Sequence, residues 1–197
     1  IFLQDSTIDK DSLVVQARDG HNVLLDHRVD SVVMLDRGDY ATFLVDTSGI
    51  RARKLFLSVN AEMASDSLLS LPLATVTPYF TDASARVDSL VIPLRYGIEL
   101  RNRYSTTWAI TWGDTTTWCY DTARTHTPQD TNVVRINESG TYWDMVQLDI
   151  PEHLHEWQID SIRVEDIDLT PMCMQHTVHF SAITIEQPVP LRIEGEE

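Results

Sequence analysis

The stretch Arg53-Lys54-Leu55-Phe56-Leu57-Ser58-Val59-Asn60 decides the fold class. In an extended chain Leu55, Leu57 and Val59 fall on one side, and Lys54, Phe56, Ser58 and Asn60 fall on the other. A period of two over this length describes a strand with one face turned to a core. Alternating or β-branched runs bounded by Asp, Gly, Pro, Ser or Asn recur along the whole chain. They predict strands at 13–17, 23–25, 31–35, 40–45, 54–60, 74–80, 89–100, 107–111, 131–136, 141–150, 158–165, 177–186 and 191–193. Within 157–165 the alternation sets Trp157, Ile159, Ser161 and Arg163 against Gln158, Asp160, Ile162 and Val164. The apolar phase therefore breaks near Ser161, which predicts a bulge or a switch of sheet. Helical periodicity is nearly absent. The one candidate is 61–71, where Met63, Ala64, Leu68 and Leu69 would make a helical turn or a covering loop. The expectation is an all-β protein, an antiparallel β-sandwich.

At 197 residues the chain is long enough for one well-buried sandwich core. Residues 1–10 read as a leader or linker, 11–186 as a single sandwich domain, and 187–197 as a terminal strand or tail, with Pro188 and Pro190 bounding the last strand. The formal net charge of −15 argues against nucleic acid, whose phosphates demand a basic face, and against an anionic lipid surface. No transmembrane span and no signal peptide is visible, and the chain opens on Ile1-Phe2-Leu3, as a mature or trimmed protein would. The two cysteines, Cys119 and Cys173, would form one long-range disulfide in an exported chain if their Cα atoms lie within about 7 Å.

A short signal is repeated eight times: Asp, then Ser or Thr, then an aliphatic residue, Ala or Thr. Its acceptors are Ser6, Ser12, Ser31, Ser67, Ser89, Thr115, Thr122 and Ser161. The pattern resembles the acceptor signal by which Bacteroidetes O-glycosylate exported proteins. That resemblance implies a periplasmic, secreted or surface-held protein, for instance a lipoprotein. The same dipeptides also open strands after turns, because both side chains bond the nearby backbone.

A second resemblance covers about 33–185. Gly38-Asp39-Tyr40-Ala41-Thr42-Phe43-Leu44-Val45, followed by Lys54-Leu55-Phe56-Leu57-Ser58-Val59-Asn60-Ala61, resembles the front half of a galactose-binding-like jelly roll. Trp143-Asp144-Met145-Val146-Gln147-Leu148-Asp149-Ile150, then Ile159-Asp160-Ser161-Ile162-Arg163-Val164 and the strand ending Ile183-Thr184-Ile185, is similar to its closing half. The resemblance implies a jelly-roll sandwich and, among exported bacterial proteins, a non-catalytic carbohydrate-binding module. The region 82–135 departs from a compact version of that pattern.

Sugar recognition needs flat aromatic faces and polar forks for hydroxyls. The richest supply is Tyr104, Trp108, Trp112, Trp118 and Tyr120, with Arg101, Asn102, Arg103 and Asp114 interleaved. Trp108 and Trp112 would share a face of a strand, and Gly113-Asp114-Thr115 reads as a hairpin tip. Trp143 and Trp157 read as core. No cofactor is expected beyond a structural calcium ion, for which Glu165, Asp166 and Asp168 are the densest acidic knot, with Asp36 and Asp39 second. A solvated turn is the competing reading. His176 and His179, three apart on a strand, point to opposite faces and do not make a joint metal site. Arg37-Gly38-Asp39 is read as a turn. No nucleophile elbow or Cys/His catalytic pattern occurs, so the expectation is a binding protein and not an enzyme. Its expected partner is a glycan; the alternative is a structural, assembly or accessory subunit of a bacterial surface complex, whose partner is a surface protein. A third reading is a jelly-roll lyase or hydrolase.

Overall fold

The computed structural model of the chain describes residues 21–26, 32–45, 49–103, 108–112, 114–119, 133–138, 141–169 and 176–187. Strands follow in the order β1 (His21–Asp26), β2 (Val33–Asp36), β3 (Tyr40–Leu44), β4 (Lys54–Glu62), β5 (Pro72–Thr81), β6 (Val87–Ser89) and β7 (Ile92–Arg95). After them come β8 (Trp108–Trp112), β9 (Thr115–Cys119), β10 (Val133–Glu138), β11 (Thr141–Asp149), β12 (Gln158–Asp166) and β13 (Thr177–Glu186).

Two antiparallel sheets pack face to face. The first has the order β1-β13-β4-β11-β10, with β2 also paired to β13, and the second has the order β3-β12-β5-β6, with β7 also paired to β5. The chain passes from β2 in the first sheet to β3 in the second, back to β4, across again to β5, and later from β11 through β12 to β13. That alternation is the jelly-roll arrangement, and the fold is an all-β sandwich as expected.

The alternation that opened the sequence analysis is what builds the core. Leu55, Leu57 and Val59 are wholly buried, facing Ile159, Ile162 and Val164 of the other sheet within one apolar cluster that also takes in Phe80, Tyr96, Phe180, Ile183 and Ile185. Each such large side chain contributes about 1.5–3 kcal/mol by leaving water.

Two expectations are corrected. The run 89–100 is not one strand but β6, β7 and a turn. Pro78 on β5 explains the break: its carbonyl accepts from Leu90 (3.2 Å), so its missing N–H faces the same edge, where pairing lapses between Tyr79–Ser89 and Val76–Ile92. The helical turn of 61–71 shrinks to a single 3-10 turn at Asp66–Leu68, because β4 continues through Glu62. Trp143 is buried, at 3% exposure, as expected, on the side of β11 opposite the inward Asp144. Trp157 is half-buried against the core, with the Arg86 guanidinium 5.4 Å above its ring. The phase break near Ser161 is a bulge: the β12–β5 register shifts between Ile159 and Ser161. The expected strands at 13–17 and 191–193 lie outside the described residues.

Candidate functional site

The tryptophan-rich segment folds as a ribbon of its own. Among the described residues β8 and β9 pair with each other, from Trp108 opposite Cys119 to Trp112 opposite Thr115, so Asp114 sits at the expected hairpin tip while Thr115 already belongs to β9. Positions 108, 110 and 112 fall on one side of this ribbon together with 115, 117 and 119, whereas position 118 lies opposite 109 on the other side. Positions 108 and 112 thus fall on one side of the ribbon and position 118 on the other. Asp114 and Thr115 are exposed at the tip. Tyr104 and Tyr120 lie outside the described residues, as does Cys173, the proposed partner of Cys119.

The polar residues expected to serve this cluster divide between two roles. Arg101 is buried, its Nε donating to Oδ1 of Asp144 at 2.8 Å. The Asn102 side-chain amide accepts from the backbone N–H of Ala64 (2.9 Å) and donates to the Ala64 carbonyl (2.6 Å), tying residue 102 to the segment that follows β4. Both are structural ties and not sugar forks. Arg103 is half-buried, its backbone N–H bonded to the Ala61 carbonyl.

The acidic knot is also divided. Glu165 points outward and pairs with Arg163 at 3.1 Å, while Asp166 points inward and is buried. Oδ1 of Asp166 accepts from Gly38 N–H (3.1 Å) in the β2–β3 turn, where Arg37 and Gly38 both have positive φ (51° and 81°). Asp168 flanks the same turn, which brings Asp36 and Asp39 near Asp166 and Asp168. Even so, among the described residues no three His, Cys, Asp or Glu side chains are gathered so as to hold a metal. His176 and His179 diverge as predicted. Nε2 of His176 bonds the Leu73 carbonyl (3.2 Å) between the sheets, and Nε2 of His179 lies 3.7 Å from Glu62 on the outer side of the first sheet.

Sequence reasoning missed the outer face of the second sheet. Its register sets Tyr40, Glu165 and Thr75 in one row across β3, β12 and β5. Thr42, Arg163 and Thr77 make the next row, and Leu44, Ser161 and Tyr79 the third. Tyr40 is 60% exposed and the Arg163 guanidinium lies 4.0 Å from the centroid of its ring. The signal was present in the polar alternation of β12, but the bulge at Asp160 hid which residues share a face.

No protein-family model matches the chain, and no curated protein is detectably similar to it. Among the described residues no helix is long and apolar enough to cross a membrane.

Proposed function

We propose that this chain is a non-catalytic, extracytoplasmic carbohydrate-binding β-sandwich. The observation that carries this reading is the β8–β9 ribbon, which among the described residues is paired with neither sheet and sets positions 108 and 112 on one side. Four residues of extended chain separate these positions by about 13 Å, a distance that an oligosaccharide spans and a monosaccharide does not. Indole faces stack on the apolar side of pyranose rings. The repeated Asp-Ser/Thr signal supports export, and three of its acceptors, Ser67, Ser89 and Thr115, are exposed. The test is a glycan array with the purified protein and its Trp108→Ala, Trp112→Ala and Trp118→Ala variants. Loss of binding in folded Trp108→Ala and Trp112→Ala is expected. A protein that binds no glycan sinks the reading.

The second reading, a structural or assembly subunit, draws on β3. This strand ends the second sheet among the described residues and exposes Tyr40 and Leu44, and such an edge accepts a strand from a partner. Concentration-dependent assembly without glycan binding would favour it.

A further inference from the structure

We propose that the outer face of the second sheet is itself a platform for a neutral oligosaccharide, a second contact surface beyond the tryptophan ribbon. The inference rests on the carbohydrate-binding reading. Tyr40 and Tyr79 stand at opposite corners of the three-by-three grid formed by β3, β12 and β5. Two strand spacings and four residues separate them diagonally by about 16 Å, the reach of several pyranose rings. Between the corners lie hydroxyl groups from Thr42 and Ser161, and at the centre Arg163.

The chemistry of the face selects the ligand. Arg163 is paired with Glu165 at 3.1 Å, so the grid carries no net charge, while the chain as a whole carries −15. An anionic glycan is repelled by the whole surface and finds no unbalanced cation here. A cationic peptide finds no unbalanced acid within the grid. A neutral polyol meets donors and acceptors in alternation, with the exposed Tyr40 ring held in place by the guanidinium stacked on it. Leu44, 69% exposed at the third corner, adds apolar area suited to the hydrogen-bearing face of a sugar.

The experiment measures binding of neutral gluco-, manno-, galacto- and xylo-oligosaccharides, and of uronic-acid oligosaccharides, by the full chain. The variants are Tyr40→Ala, Thr42→Arg and the double variant Trp108→Ala/Trp112→Ala. Tyr40 and Thr42 are exposed on an edge strand, so melting temperatures should stay at the wild-type value. Thr42→Arg tests the same face by filling it and not by truncation. The expected result is that each face variant weakens binding of a neutral oligosaccharide about tenfold, the scale of one lost aromatic contact, and that the ribbon variant retains part of the affinity. Undiminished binding by Tyr40→Ala and Thr42→Arg, with loss confined to the ribbon variant, overturns this inference and leaves the ribbon reading intact. Preference for uronic oligosaccharides overturns the choice of ligand. Absence of any glycan binding by the wild type removes both readings. Self-association that Thr42→Arg abolishes, in a protein that binds no glycan, assigns the face to a second copy of the chain.

Discussion

Oδ2 of Asp166 lies 2.9 Å from Nε2 of His176, with both side chains out of solvent. The imidazole N–H is directed to the Leu73 carbonyl, so the carboxylate sits beside it at ion-pair distance without an aligned hydrogen bond, while its other oxygen holds Gly38. One carboxylate thus ties the end of β12 to the β2–β3 turn and to the start of β13. These are places where the chain crosses between or enters the sheets. Asp166→Ala should lower stability by about 1–3 kcal/mol, since it leaves Gly38 N–H without its acceptor and empties the space beside His176. Urea denaturation of Asp166→Ala, His176→Ala and the double variant would give the coupling. Additive losses would show that the two side chains act independently.

Arg101 and Asp144 form a buried ion pair on the core side of β11, at 5% and 0% exposure. Removing one partner takes this bond from the other buried charge, at a cost of about 3–5 kcal/mol, whereas apolar replacement of both removes the desolvation problem. Asp144→Val alone should therefore be less stable than Asp144→Val/Arg101→Met. Equal unfolding midpoints for the single and double variants would refute this.

His179 is buried, and desolvation is the main cause that holds its pKa below the ordinary 6.5; Glu62 pulls the other way and Arg103 adds to the lowering. As pH falls through 6.5 the unfolded chain takes up the proton first, so this residue makes the fold progressively less stable until the folded imidazole also protonates. Urea midpoints followed from pH 8 to pH 5 should decline more steeply for the wild type than for His179→Gln. Parallel curves would show that another group governs the acid limb.

The candidate acceptors for O-glycosylation differ in access. Ser67, Ser89 and Thr115 are exposed, whereas Ser161 is half-buried on the central strand β12, between β3 and β5. Peptide mass spectrometry of protein exported by a glycosylating host should find glycans on the first three and none on Ser161. A glycan on Ser161 would require modification before the sheet forms.

The sequence by itself determined the fold class and most strands, because a period of two with one apolar side is a local property. Residues 54–60 and 177–186 needed no partner to be read, and β13 matches its predicted bounds. It also placed the hairpin tip beside Asp114 and the bulge near Ser161, since both follow from chemistry within a few residues. Tertiary structure alone decided the rest. Pro78 divides a strand that is more than ten residues away in sequence, because only sheet pairing aims its missing donor at that edge. Arg101 and Asn102, which look like ligand forks, became internal ties when β4 and β11 came alongside. Tyr40, Arg163 and Tyr79 come from three separate strands, and their common face exists only once β12 lies between β3 and β5. Local alternation fixes which side of its own strand a residue occupies; the register between strands fixes which residues stand next to one another.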